Sequence, residues 1–222
     1  MKKILLWTML ILTACSSDSI LEKRLLMMYE RDQSIRHQII ELTKAVTTKG
    51  QKDLIDSLIQ TIDLQKQIDQ ENINIIDSLL QKGVPKRLSK EAYKAIWIII
   101  DHSELASQEK YLPHIKQMAD EGKINFYDYA TLFDRIEMNN NRPQRYGTQL
   151  IQFGTLDSPQ LYLWPIENYH TLDSLRSQIG LQSIDEYLNE TSKTTGVKVN
   201  YNPQITIEEL NQMRNKYVKD TK

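Results

Sequence analysis

Apolar side chains recur at three- and four-residue steps from about Ile20 to Val46, with Leu21, Leu25, Met28, Ile35, Ile39 and Leu42 near one stripe. That period predicts a helix with one buried face. A second helix is predicted over 52–82. There Ile55, Ile59, Ile62, Ile73, Ile76 and Leu80 follow the alternating steps of a coiled-coil seam, with Lys66 and Asp69 in its two missing positions. Gly83 and Pro85 close it, a glycine past the helix end with proline just beyond. The two helices are expected to pair as a long antiparallel hairpin.

Further along, the segment 90–103 contains AIWIIIDH and is apolar enough to be a central helix. QEKYLPHIKQMADEG continues as a fourth, in which Pro113 marks either a kink or the first turn. Asn125 is placed to cap a helix running through Met138. TQLIQFG and PQLYLWPI then read as two strands joined through GTLDS. Thr171 opens another helix closed by Gly180, SIDEYLNE forms a short one, and QITIEELNQMRNKY forms the last. In that tail Thr206 and Glu209 make a capping box, with Ile205 and Leu210 as its hydrophobic staple. The expected fold is mostly α: a single helical domain with a long N-terminal helical hairpin and a small two-stranded β element.

The first residues change the picture of where the chain resides. Lys2 and Lys3 precede an uncharged apolar run, ILLWTMLILT, which is too short to span a bilayer and reads as a signal peptide. It ends in LTAC, which resembles a bacterial lipobox. The resemblance implies cleavage before Cys15, acylation of that residue by palmitate-type chains, and membrane anchoring through the lipid. Ser16 favours the outer membrane, by similarity to enterobacterial sorting. An ordinary secretory signal with an incidental cysteine is the alternative. The expected organisation is a leader over 1–14, a tether over 15–19, the helical domain over 20–190, and a C-terminal extension with a terminal helix over 191–222.

Cys15 is the sole cysteine, so no internal disulfide can form and burial alone must hold the fold. The whole chain carries a net charge of −1; loss of Lys2 and Lys3 takes it to −3. No basic block occurs, which argues against nucleic acid as a partner. There is no glycine-rich phosphate loop, HExxH or GxSxG, and His37, His102, His114 and His170 are scattered, so no metal or cofactor is implied.

Candidate chemistry rests on residues outside such motifs. His102 continues the stripe Ala95, Ile98, Ile99, so it is expected to point inward while Asp101 and Glu104 point elsewhere. It is then either a satisfied core histidine or a ligand or proton-transfer group. Asp134 and Arg135 are neighbours near a helix end, flanking the buried side marked by Phe126, Tyr129, Phe133 and Ile136. They read as an ion-pair network or as functional groups. Asp32 and Arg36, four apart, read as a surface pair. In RPQRYGTQ, extended backbone puts Gln144, Tyr146 and Thr148 on one side and Arg145, Gly147 and Gln149 on the other. Gly147 allows a positive φ or a close approach. These side chains are better suited to holding a group by hydrogen bonds than to cleaving one.

RDQSIR, WIIIDHSELASQEKYLP, DRI, QRYGTQ, WPI and LRSQIGLQSIDEY follow in order over about 20–190, and together they resemble the bacterial family called domain of unknown function 6624. The resemblance singles out Asp32, Gln33, Arg36, His102, Gln108, Asp134, Arg135, Gln144, Tyr146, Gly147, Thr148, Gln149 and Arg176, and implies no particular activity. Val84 stands where relatives tend to carry Trp, so contacts of that aromatic do not transfer. If the set converges it makes a polar pocket, which costs stability unless fully paired. The expected role is a lipid-anchored envelope binding or accessory module for a polar ligand, a peptide, a glycan or another envelope protein. Two alternatives stand beside it: an envelope hydrolase or lyase with His102 and Asp134 as acid/base pair, and a partner-docking protein that uses the hairpin.

Overall fold

The structure, a computed structural model, describes residues 2–49, 51–155 and 158–220, and the side chains of 18–48, 51–154 and 159–216. The expected mostly α architecture is present, with the N-terminal helical hairpin and a small sheet. Contacts gather into two compact units, Met1–Ile124 and Asn125–Lys222.

In the first unit, α1 (Lys2–Lys49) packs against α2 (Lys52–Leu80), and both pack on α3 (Lys90–Asp101), which is followed by α4 (Leu105–Asp120). The side chain of Cys15 lies outside the described residues, as does that of Ser16. Leu25, Met28 and Ile35 of α1 are buried with Ile68, Ile73, Ile76 and Leu80 of α2 and Ile96, Ile99 and Ile100 of α3. Ser89 caps α3 by accepting a hydrogen bond from the Ala92 N–H.

The seam of α2 differs from the one its spacing predicts. Ile55 and Ile59 are 40% and 53% exposed, whereas Leu54 and Leu58 are half-buried. Lys66 is on the surface, paired with Asp63. A straight helix of 3.6 residues per turn drifts by roughly 20° per heptad against a strict seven-residue repeat, so a register read from Ile73, Ile76 and Leu80 fails toward the other end. Pro113 lies inside α4 and faces solvent, where water can take the carbonyl its missing N–H would have bonded.

The second unit begins with α5 (Phe126–Asn139). Asn125 has the extended backbone of a cap but makes no side-chain cap bond. The strands β1 (Leu150–Thr155) and β2 (Ser158–Leu163) pair antiparallel, with Phe153 opposite Gln160; Leu156 and Asp157 of the connecting turn lie outside the described residues. A third strand, β3 (Val199–Asn200), joins β2 in parallel. Two residues are too few for an alternating pattern to show, which is why the sequence suggests only two strands. A 3-10 turn over Tyr169–Thr171 leads into α6 (Leu172–Gln178), followed by α7 (Ile184–Thr195) and α8 (Ile207–Asp220). The boundary expected at 190 falls inside α7. Thr206 and Glu209 form the expected capping box, and Leu210, fully buried, packs with Ile205 against Phe153 and Trp164.

Candidate functional site

Position 32 falls on the buried stripe of α1 between Met28 and Ile35, so helix geometry drives a carboxylate into the core. Asp32 is 1% exposed, and a buried charge must be paired. His102 Nδ1 meets its two oxygens at 2.9 and 3.1 Å, Arg36 Nε at 3.2 and 3.3 Å, and Gln33 Nε2 at 2.8 Å. A carboxylate only accepts, so Nδ1 of His102 must donate, and Nε2 is the ring atom left for a ligand. Burial works to raise the Asp32 carboxyl, but the hydrogen bond and charge of His102, and then of Arg36, outweigh it and hold the group below its ordinary value. Arg36 also reaches across the hairpin to Asp69 at 2.7 Å.

Two expectations are corrected here. Asp32 and Arg36 are no surface pair, because the carboxylate belongs to the core stripe. His102 is the C-cap of α3 and its side chain is 20% exposed, while Asp101 is 4% exposed and takes the buried place. The regular helix stops at Asp101, so stripe spacing no longer says where the next side chain points.

Gln108, 3% exposed, donates from Nε2 to the carbonyls of Asp101 and Ser103 at 2.8 and 3.0 Å. It thereby pins the turn that carries His102. Four of the singled-out residues of this unit, Asp32, Gln33, Arg36 and Gln108, thus bear on the fifth. His102 lines a cleft of about 300 Å³ with Lys66, Asp69, Gln70, Glu104 and Ser107. Asp69 is a site residue that sequence reasoning had placed only in the seam; its one signal was a carboxylate at a seam position.

The remaining residues gather in the second unit around a different centre. Asp134, 0% exposed, accepts from the backbone N–H groups of Arg145, Tyr146 and Thr148 at 2.8, 3.0 and 3.0 Å, and from the Thr148 hydroxyl at 2.9 Å. Burial, the largest influence, raises its carboxyl above the ordinary value against the pull of these donors. On the same loop Arg176, 2% exposed, donates from its guanidinium to the carbonyls of Tyr146 and Gly147 at 2.6 and 3.2 Å. A buried acid and a buried base therefore hold the backbone of 145–148, one by its N–H groups and the other by its carbonyls. The ion-pair reading of Asp134 with Arg135 gives way to this arrangement; Arg135 is half-buried.

Gln144, fully buried, donates to the carbonyls of Gln149 and Trp164 and accepts from the Gln149 N–H. Gln149 donates in turn to the Thr131 carbonyl at 3.2 Å. Tyr146 packs edge-on against Phe126, Tyr129 and Phe133. Gly147 has φ +70°, and a Cβ there would meet Ile184 Cδ1 at 3.0 Å, so both reasons for glycine apply. Far from lying without a core, the segment is buried from Gln144 to Gln149 apart from Arg145, which pairs with Glu167. Its backbone and amide groups bond to Asp134, Arg176, Trp164, Thr131 and one another.

His102 and Asp134 belong to different units, and each has its own partners: Asp32 for the imidazole, the 145–148 loop for the carboxylate. Among the described residues no group of three or more His, Cys, Asp or Glu side chains is placed to hold a metal ion, and no helix is long and apolar enough to cross a membrane. No curated protein and no solved structure matches the chain. The sequence family described as a family of unknown function, DUF6624, matches residues 19–200, which takes in both groups of buried polar residues, and the chain belongs to that family.

Proposed function

We propose that the protein is a lipid-anchored module of the bacterial envelope, held through acylated Cys15 at the outer membrane, whose working site is the His102 cleft of the first unit. One observation carries this reading. A buried carboxylate, Asp32, fixes the imidazole by Nδ1, and His102 lines a cleft with mixed charge. A ligand with both donors and acceptors, such as a peptide or an anionic glycan, suits Lys66, Asp69, Glu104 and Ser107 better than an apolar one. The second group of polar residues has its hydrogen bonds internally satisfied and serves to shape its own unit.

The test is equilibrium binding of the processed protein to envelope glycans, peptides and small anions. Binding should be lost in His102→Ala and kept in Gln149→Ala wherever that variant remains folded. Silence across the whole panel, or equal binding by His102→Ala, would sink the reading. The Asp32–His102 contact also favours a second one, in which the imidazole acts as general base of a hydrolase or lyase, with Asp32 rather than Asp134 as its orienting carboxylate. Turnover of a bound ligand that falls in Asp32→Asn while affinity holds would select it.

A further inference from the structure

Positions 20, 23, 24, 27 and 31 lie on one face of α1, and that face is open. Ile20 and Met27 are 69% and 68% exposed, and Lys23 and Arg24 are exposed beside them. With Met28 and Ile75 they border a groove of about 440 Å³, whose floor includes Asn72. Asn72 is 2% exposed, and its Nδ2 has no hydrogen-bond partner among the described residues. Arg31 pairs with Glu71 at 2.7 Å. By helical spacing Asp18 and Glu22 project away from this face, and Glu30 stands at its edge.

An occupant must therefore bring an apolar body, acceptor oxygens for the buried amide, and negative charge for Lys23 and Arg24. A glycerophospholipid offers all three in its acyl chains, esters and phosphate. Position also matters. Ile20 follows Cys15 by roughly 7–8 Å of helix rise, so the groove lies at the end of the hairpin where an anchored chain meets the bilayer. We infer that this face of α1 docks on an anionic phospholipid surface, with Ile20 and Met27 entering the interface and Lys23 and Arg24 meeting phosphates. Docking rests on the lipid-anchor reading and adds an orientation to it: the N-terminal part of α1 lies along the membrane.

The test uses the full processed chain in phosphatidylethanolamine–phosphatidylglycerol vesicles. With Cys15 acylated, Met27→Cys or Ile20→Cys carries the sole free thiol and takes a fluorescent label, and nitroxide lipids act as quenchers. The label at either position should be quenched. A label at Ile59→Cys should not be, since that exposed residue is turned about 160° round α2 from Ile75, which borders the groove. Removing Lys23 or Arg24 should lower the docked-to-lifted ratio roughly fivefold each, the equivalent of about 1 kcal/mol per basic residue at an anionic surface. Vesicle-bound protein whose Met27 label is silent overturns docking alone, and so does a spectral shift without lipid quenching, which would place a protein in the groove. Wild type that fails to float with the vesicles overturns the anchor and the docking together.

Discussion

Asp134 shows how much a single buried group can organise. Four donors converge on it, and an amide in its place would present an NH2 group to backbone N–H groups that need an acceptor. Asp134→Asn should therefore cost on the order of 3 kcal/mol, which corresponds to a midpoint lowered by roughly 6–12 °C in a chain of this size. Thermal unfolding checks this, and an unchanged midpoint would show that the loop does not depend on the carboxylate. Asp32 makes a different prediction, through pH. Its folded value is depressed, so its contribution is complete above the ordinary carboxylate value of 3.8 and is lost as pH falls through the folded one. Urea midpoints should drop as pH falls below about 4 in the wild type, and that limb should flatten in Asp32→Asn. Parallel curves would mean that another group governs the acid limb.

At the scale of elements, the turn from α3 to α4 decides where His102 stands. Gln108 reaches back from α4 to two carbonyls of that turn, making it a positioning residue for the imidazole. Gln108→Leu leaves those carbonyls unpaired at a cost of about 1–3 kcal/mol and should loosen the Asp32–His102 contact. The His102 Nδ1–H signal in nitrogen-edited NMR should then broaden or vanish while the helix content stays. A sharp, unshifted signal would show that the turn holds itself. The hairpin illustrates a neighbouring lesson. Its existence follows from apolar period and from Gly83 and Pro85, but its register near Ile55 does not, because α2 is half-solvated there and a helix of 3.6 residues per turn drifts against a strict heptad.

For the whole molecule, the proposed reading assigns location and chemistry to different parts of the chain. Cys15→Ser should leave an unprocessed or unanchored form. Fractionation of cells expressing it checks the anchor without touching either group of buried polar residues. If the variant sediments with membranes as the wild type does, the acyl anchor is not what holds the protein there. The two groups of buried polar residues divide between the units 1–124 and 125–222. The first leaves an imidazole at a cleft, and the second closes its hydrogen bonds upon itself.

Much of this could be read from residue order. The DQxxR, His-plus-Gln and QxYGTQ residues were singled out by the family resemblance. The helices, the strand pair and the Thr206 cap follow from local rules, since period, capping and turn chemistry act over a few positions. The short β3 strand escaped them, being held by pairing with β2 rather than by any pattern of its own. Partners escaped them too. Asp32 could be seen four residues from Arg36, but not that α3 returns His102 to it from 70 positions away. Asp134 looked like one of an ion pair until the chain folded the 145–148 backbone over it. The sequence by itself determined which side chains are polar and where regular structure starts and stops. Tertiary structure alone decided which polar groups satisfy one another and which one is left facing a cleft, because burial and hydrogen-bond pairing depend on segments distant along the chain.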